Sequence, residues 1–327
     1  MDGSTTPLDE ARRSLQAPHE STLIYLHIGK TAGVTLHQVL RRQFPPSQTL
    51  WIHRSPVRGQ ATDATAGAER DEQEAIPSEG RPIRELSLAY IASLPREKLA
   101  RLRLIEGHTI FGLHRCLPGP STYSTLLREP VARVISGYGY IRRRPRHPLY
   151  ALSHKLPLDE FLRSGVALQL DNGQTRAIAG DTTTAFGACT AELVEAAKRN
   201  IEEHFAVVGL TERFDESLLL MRRAFGWTNM HYVPANVSRR SKSSRELDVR
   251  TRRVIEELNQ LDVALYEWTR ERVGASIEAE PGLEEELRRF RAVNTLYRPW
   301  GQLTYTLPRA IRMALRSDGT GRTTPDS

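Results

Sequence analysis

The sequence is poor in cysteine and lacks any long apolar run. Cys116 and Cys189 are its only two cysteines, and they form neither the paired spacing of a zinc site nor a disulfide framework. The first 20 residues contain no apolar core of the signal-peptide type, and no stretch of 18 or more apolar residues occurs. These absences predict a cytoplasmic protein without a transmembrane segment.

The residues that are present describe a globular protein with an anionic partner. A hydrophobic content of 39% suffices for a buried core, which excludes disorder as the main state. The formal net charge of +7 favours a nucleotide, a polyanionic glycan, a nucleic acid or an acidic membrane surface as partner. Basic segments with interleaved aromatic residues, as in RNA-binding proteins, are missing, so we expect no nucleic acid.

Strand and helix patterns alternate along the chain, which predicts an α/β fold with a parallel sheet. Apolar, β-rich runs predict strands at 23–28, 102–106, 123–127 and 205–210. Helical spacing of apolar residues predicts helices at 86–92, 193–204 and 215–225. One long late helix is predicted from the spacing of Val254, Leu258, Leu261, Leu265 and Trp268.

Composition divides the chain into four parts. Residues 1–20 are predicted to be a flexible N-terminus, and residues 21–275 a single catalytic domain. Within that domain, residues 55–80 lack periodicity and are rich in small and polar residues, as expected for a flexible insertion. Residues 276–316 are predicted to form a helical extension, and residues 317–327 a disordered tail.

The segment 27–33, of sequence HIGKTAG, links the first predicted strand to the first predicted helix. A helix N-terminus after a strand presents unpaired N–H groups and a positive dipole end, which together favour a phosphate. Gly29 and Gly33 would allow close approach, Lys30 adds a charge, and Thr31 and Thr35 add hydroxyl donors. A plain tight turn with an exposed lysine explains the same pattern.

A second candidate phosphate site follows the strand at 123–127. Arg128 stands at the strand end, Pro130 suits the first turn of a helix, and Ser136 lies two turns into that helix. A guanidinium and a hydroxyl can hold one phosphate together. In this helix the residues predicted to line the ligand-facing side are Arg133, Ser136, Gly137 and Tyr140. Taken singly, Arg128 and Ser136 are equally compatible with an ordinary ion pair and a neutral helix residue.

Taken together, the two segments resemble the phosphate motifs of the carbohydrate sulfotransferase family that includes the heparan sulfate 2-O- and 6-O-enzymes and bacterial relatives. Segment 26–35 resembles the 5′-phosphosulfate loop, and segment 128–136 resembles the 3′-phosphate motif. The similarity covers about residues 23–270. Gly29 replaces the family's usual proline, Val34 its threonine and Glu129 its aspartate.

The resemblance implies a P-loop-like three-layer sandwich, with a central parallel sheet flanked by helices. It implies 3′-phosphoadenosine 5′-phosphosulfate (PAPS) as donor, 3′-phosphoadenosine 5′-phosphate (PAP) as product, a carbohydrate hydroxyl as acceptor and no metal ion. The basic loop 236–242 resembles one that covers the donor, although a solvated loop explains it equally. The implied donor-binding residues are Gly29, Lys30, Thr31, Ala32, Gly33, Val34, Thr35, Arg128, Ser136, Ser238, Arg239 and Arg240.

The resemblance also implies the catalytic groups. Lys30 would stabilise charge on the leaving phosphate, and a histidine would accept the proton of the acceptor hydroxyl. Gly107-His108 resembles an acceptor-site pair of the 2-O-type enzymes, whose second histidine is replaced here by Glu106. We favour His108 as the base, with His114 and Glu106 as alternatives.

Further features leave alternatives open. The basic cluster at 142–147 is explained by the end of its helix, or it holds an anionic acceptor. A P-loop kinase is the first alternative function, but it would need glycine where Ile24 stands, five residues before Gly29-Lys30-Thr31. The second is a non-catalytic module that binds polyanions. The sequence specifies neither the acceptor nor the oligomeric state.

Overall fold

The structure, a computed structural model, describes residues 21–52, 83–235 and 247–317. At the centre of these residues lies an all-parallel sheet with strand order β2-β3-β1-β4-β5. The strands are β1 Thr22–Leu26, β2 Thr49–Ile52, β3 Leu104–Gly107, β4 Ser121–Leu127 and β5 Phe205–Leu210. The predicted α/β class and parallel sheet are therefore confirmed.

Helices cover both faces of the sheet, which gives the predicted three layers. The helices are α1 Gly33–Gln43, α2 Ile83–Ala92, α3 Arg96–Arg101, α4 Pro130–Arg142, α5 Tyr150–Lys155, α6 Leu158–Arg163, α7 Gly173–Ala179, α8 Ala191–His204, α9 Phe214–Phe225, α10 Val249–Leu258, α11 Gln260–Glu278 and α12 Leu283–Ser317. Side chains alternate along a strand, so β1 serves both cores. Ile24 and Leu26 pack with α8 and α11, whereas Leu23 and Tyr25 pack with α1, α9 and α12.

The strand order places the predicted phosphate segments side by side. The chain passes from β1 outward to β2, returns through β3 and then crosses to β4 on the other side of β1. Because all strands are parallel, the carboxyl ends of β1, β3 and β4 meet at one edge of the sheet. Such a reversal of strand order is where open α/β sheets bind ligands.

The prediction of one long late helix is wrong, because α10 and α11 are separate helices that meet at Asn259. Its buried amide oxygen accepts a hydrogen bond from the backbone N–H of Asn172 at 3.0 Å. The Asn172 amide oxygen in turn accepts from the N–H groups of Leu261 and Asp262, in the first turn of α11. Apolar spacing continues across this break, so the sequence pattern could not reveal it.

Two of the predicted segment boundaries fall within helices, those after residues 275 and 316. The boundary at residue 275 falls within α11, and α12 then packs Leu283 and Phe290 against the sheet-facing core. The predicted flexible N-terminus 1–20 and insertion 55–80 lie outside the described residues. The predicted tail lies outside them as well, except for Ser317, the last residue of α12.

A buried carboxylate joins three helices. Asp262 in α11 has no exposed side-chain surface, and it accepts from the backbone N–H groups of Gln174 and Thr175 at the start of α7. Its other oxygen lies 3.2 Å from the guanidinium of Arg133 in α4. Arg133 is therefore buried in an ion pair, which corrects its predicted place on a ligand-facing side.

We expect Asp262→Ala to lower the free energy of unfolding by roughly 3–5 kcal/mol, because it leaves the Arg133 charge and two N–H groups buried without a partner. Urea denaturation followed by circular dichroism measures this loss. The matched control is Glu257→Ala, whose half-exposed carboxylate pairs with Arg253 on the surface of α10 and should contribute less than about 1 kcal/mol. Equal losses in both variants would contradict the role given to Asp262.

Candidate functional site

The loop after β1 has a backbone suited to binding an anion. Lys30 and Ala32 adopt left-handed conformations, with φ of 73° and 62°. Such conformations cost non-glycine residues on the order of 1–3 kcal/mol each and concentrate at functional sites. Left-handed residues within a turn make neighbouring N–H groups converge into a concave nest that binds anions. Ala32, the residue before α1, provides no side-chain cap, and the first turn of α1 contains no acidic residue.

The two glycines of this loop have different surroundings. A Cβ atom on Gly33 would lie 1.9 Å from Nε2 of His27, so the His27 ring occupies the space beside this glycine. A Cβ atom on Gly29 would meet no described atom within 4 Å. Gly33 thus serves the packing of the loop, and Gly29 is the glycine with open space beside it.

The hydroxyl groups of the loop also differ. The fully buried Thr31 donates its hydroxyl hydrogen to the carbonyl oxygen of Ile28 at 2.8 Å, which closes the turn internally. This contact corrects its expected role as a hydroxyl donor to a ligand. Thr35 accepts from the N–H of Ala235 at 3.1 Å, so its own hydrogen is available for donation as far as the described residues show. Val34 is half-buried in the first turn of α1.

The side chain of Lys30 extends along α4. Its Nζ atom lies 4.1 Å from the centre of the Tyr140 ring, a cation–π contact. A Cβ atom on Gly137 would lie 4.0 Å from the Cγ atom of Lys30 and 2.8 Å from Cδ2 of Leu170, so this glycine lies beside the lysine chain and makes room for Leu170. Arg144 lies 4.4 Å from the same Tyr140 ring. Gly137 and Tyr140 therefore lie beside the Lys30 side chain.

The second predicted phosphate segment makes direct contact with the first. The guanidinium of Arg128 donates a hydrogen bond from Nη1 to the carbonyl oxygen of Lys30 at 3.0 Å. This bond uses one of its five N–H donors, which leaves donors for a phosphate. Burial lowers the pKa of Arg128, and the nearby Glu212 and Glu129 oppose that shift. Two segments separated by 98 positions in sequence thus form one site.

The backbone at Arg128 is held from two sides. Gln174 donates its Nε2 hydrogen to the Arg128 carbonyl and accepts the Arg128 N–H, both at 2.9 Å. Glu129 accepts from the N–H groups of Val131 and Ala132 and so caps α4. Glu129, which replaces the family's aspartate, therefore acts as the N-cap residue of this helix.

Of the remaining donor-binding candidates, only Ser136 lies within the described residues. Ser136 is half-buried one turn before Tyr140, and residues four apart lie on the same side of a helix. It therefore belongs to the side of α4 that meets Lys30. Ser238, Arg239 and Arg240 lie outside the described residues.

Sequence reasoning missed the role of Gln174, which depends on a contact 46 positions away in the chain. Arg176, two residues later, holds the surrounding segments together. The Arg176 guanidinium donates to both Asp171 and Asp181, at 2.7 and 2.6 Å. Its remaining donors bond three carbonyl oxygens, those of Asp171, Thr184 and Ala185. Arg176 is thus fully engaged within the protein.

The ring of His108 is oriented by a hydrogen bond and by a stacking contact, both with His27. Its Nδ1 atom lies 3.2 Å from the carbonyl oxygen of His27, and its ring stacks on the His27 ring at 4.3 Å. A carbonyl can only accept, so in the neutral ring Nδ1 carries the hydrogen and Nε2 is the nitrogen whose lone pair can accept a proton. His108 follows β3, which is paired with β1, and so it stands at the sheet edge that carries the Lys30 loop.

Glu106, the remaining alternative for the base, pairs with a different histidine. The buried carboxylate of Glu106 instead lies 2.9 Å from Nδ1 of His37 in α1. The His37 ring meets the ring of Trp51 edge to face at 4.3 Å. His37 was not a sequence candidate, because only the packing of α1 on β2 and β3 brings it to Glu106.

The alternative base His114 lies at the opposite end of the sheet. Its Nδ1 atom is 3.0 Å from the hydroxyl of Tyr123, and its ring packs on His204, the residue before β5 begins. Burial, followed by the charges of His204 and Arg115, lowers the pKa of His114. His114 therefore packs beside the beginnings of β4 and β5, whereas the Lys30 loop follows the carboxyl end of β1.

A cleft formed by α10, α11 and the start of α4 has the wrong charge for a nucleotide. It has a volume of about 450 Å³, and its lining includes Glu256, Glu257 and Glu267 with the single basic residue Arg253.

Among the described residues, no group of three or more His, Cys, Asp or Glu side chains is placed to hold a metal ion. None of the helices within 21–52, 83–235 and 247–317 combines the length and hydrophobicity needed to cross a bilayer.

The fold and the candidate phosphate site define a P-loop-like α/β protein. The chain belongs to the galactose-3-O-sulfotransferase family, whose model matches residues 89–298. This match includes Glu106, His108, Arg128 and Ser136, and it begins after the Lys30 loop. The predicted resemblance to carbohydrate sulfotransferases is confirmed.

Individual relatives agree with the family. Human galactose-3-O-sulfotransferase 3 is 28% identical over 274 residues, which cover 78% of this chain and 57% of the relative. Human galactose-3-O-sulfotransferase 2 is 28% identical over 59% of this chain and 51% of the relative. Human heparan-sulfate 6-O-sulfotransferase 1 is 27% identical over 81% of this chain and 69% of the relative. The chain thus spans little more than half the length of its galactose-3-O relatives.

We expect Gly33→Ala to lower the free energy of unfolding by roughly 1–3 kcal/mol, because the new methyl group displaces the His27 ring. Gly29→Ala, with open space beside it, should change that free energy by less than about 0.5 kcal/mol. Urea denaturation of both variants makes the comparison. Equal stability of the two proteins would show that His27 does not occupy the space beside Gly33.

Proposed function

We propose that this protein transfers a sulfuryl group from PAPS to a hydroxyl group of a carbohydrate. The hydrogen bond from Arg128 to the Lys30 carbonyl carries the proposal, because it unites the two phosphate motifs in one site. Family membership and the names of the relatives support the same reaction. The kinase and the non-catalytic module receive no support from these relatives.

The donor would bind with its two phosphate ends at the two segments. The N–H groups of the loop, the Lys30 ammonium and the Thr35 hydroxyl would hold the 5′-phosphosulfate. Arg128 and Ser136 would hold the 3′-phosphate, which distinguishes this donor from ATP. The loop contributions come from Gly29, Lys30, Thr31, Ala32, Gly33 and Val34, with Thr31 acting through its backbone only. A covering role of Ser238, Arg239 and Arg240 remains part of the proposal.

His108 would accept the proton of the acceptor hydroxyl at Nε2 while the acceptor oxygen bonds to sulfur. The bond between sulfur and the 5′-phosphate oxygen breaks on the opposite side, and Lys30 stabilises the charge that PAP carries away. Nε2 of His108 is suited to this step because its Nδ1 faces the His27 carbonyl. The contact of Lys30 with Tyr140 keeps the ammonium beside the loop.

The acceptor would be a sugar hydroxyl, as in the relatives named for galactose and heparan sulfate. Arg144, which contacts the same Tyr140 ring as Lys30, favours an acceptor with negative charge. The predicted cytoplasmic location has no support from these relatives and stays a prediction, which cell fractionation would test.

Wild-type protein should bind PAP about 10 to 100 times more tightly than 5′-AMP, because charged hydrogen bonds to the 3′-phosphate stabilise only PAP. Arg128→Gln and Ser136→Ala should each reduce this preference, whereas Lys30→Ala should weaken both ligands. Isothermal titration calorimetry without magnesium measures the affinities. The assignment of the 3′-phosphate site fails if neither Arg128→Gln nor Ser136→Ala changes the ratio of the two affinities.

His108→Asn should lower kcat by about 10²- to 10⁴-fold and leave PAP affinity unchanged, because it removes the base and not the donor site. Transfer of radiolabelled sulfate from PAPS, tried on galactose-terminated glycans and heparan-type chains, measures this effect. His114→Asn is the matched control and should keep the wild-type rate. An active His108→Asn variant overturns the base. Absence of both transfer and PAP binding in the wild type overturns the function.

A further inference from the structure

The last helix, α12, exposes three apolar side chains on one side. Val293, Leu296 and Trp300 have 47%, 74% and 72% of their surfaces exposed. Their spacing of three and four residues places them in one stripe along the helix. A contiguous apolar stripe on the surface is a sign of an interaction site, unlike single exposed residues.

The rotation of α12 is fixed by contacts on another side, so the exposure of the stripe is built into the packing. The buried Asn294 accepts the backbone N–H of Tyr232 at 2.8 Å. A Cβ atom on Gly301 would lie 2.5 Å from Val233, which shows how closely the helix lies against that segment. Turning the stripe inward would break both contacts.

Charge along α12 changes between its two parts. In the first part, Arg291 forms ion pairs with Asp215 and Glu216 at 3.0 and 3.3 Å, and Glu286 pairs with Arg222 and Arg223. From 292 to 317 the sequence contains neither Asp nor Glu, although it contains arginines. These are Arg298, Arg309, Arg312 and Arg316. The same sequence continues the apolar spacing with Leu303, Leu307 and Ile311.

We propose that α12 binds the surface of a membrane rich in anionic lipids, with the stripe of Val293, Leu296 and Trp300 in contact with the acyl region. A basic amphipathic helix with tryptophan in its apolar stripe lies in the plane of such an interface. Anionic headgroups complement the arginines, whereas a second copy of this chain, with a net charge of +7, would repel the first. The partner is therefore lipid, and the helix brings the enzyme to a membrane surface.

Co-sedimentation of the full chain with phosphatidylcholine vesicles, with and without phosphatidylserine, tests the proposal. We expect binding to the vesicles with phosphatidylserine only, and weaker binding as salt is added. Leu296→Ser combined with Trp300→Ser should reduce this binding at least about tenfold, because two apolar contacts are lost. Val249→Ser is the matched control: Val249 is 83% exposed on α10, away from the stripe, and its substitution should leave binding unchanged.

Three outcomes would overturn the proposal. They are equal binding to both kinds of vesicle, unchanged binding of the double variant, and loss of binding in Val249→Ser. Light scattering without vesicles adds a further arm: an oligomer that the double variant converts to monomer, together with no vesicle binding, would make the stripe a self-association surface. PAP binding of the double variant reports its folding, and the single variant Leu296→Ser repeats the test if that fold is lost. The outcome is independent of sulfuryl transfer.

Discussion

The buried carboxylate of Asp262 holds the elements that present both phosphate segments. It binds the first N–H groups of α7, and the side chain of Gln174 in that turn fixes the backbone of Arg128. Arg128 in turn bonds the carbonyl of Lys30. A line of hydrogen bonds therefore connects a helix near the C-terminal end of the domain with the loop after the first strand. The geometry of the proposed donor site depends on α11 as much as on the loop itself.

The loop after β1 is stable only because other groups support its strained backbone. Thr31 closes the turn on Ile28, His27 fills the space beside Gly33, and Arg128 bonds the Lys30 carbonyl. Each contact offsets part of the cost of the left-handed residues Lys30 and Ala32. The result is a loop backbone held in place by its neighbours, which would lower the entropy lost when an anion binds.

Two residues at the carboxyl end of β3, Glu106 and His108, contact different histidines. His108 donates its Nδ1 hydrogen to the backbone carbonyl of His27 in the phosphate loop, so the position of the proposed base is tied to the proposed donor site. Glu106, two residues earlier, is occupied by His37 of α1. Glutamate at this position therefore links the helix after the loop to the strand below the base. At the position of the family's second histidine, this chain thus has a glutamate that connects β3 with α1.

The sequence by itself determined the alternation of strands and helices, the parallel sheet, and the pairing of a Lys30 segment with an Arg128 segment. The strands, helices and sheet follow from local patterns such as apolar periodicity, whereas the pairing of the two segments follows from their joint resemblance to sulfotransferase motifs. Only the tertiary structure decided that α10 ends at Asn259, that Arg133 is buried against Asp262, and that Glu106 pairs with His37. It also moved His114 to the opposite end of the sheet, with Tyr123 and His204. Each of these depends on partners dozens of positions away or on a chain reversal, and local periodicity carries no information about such contacts.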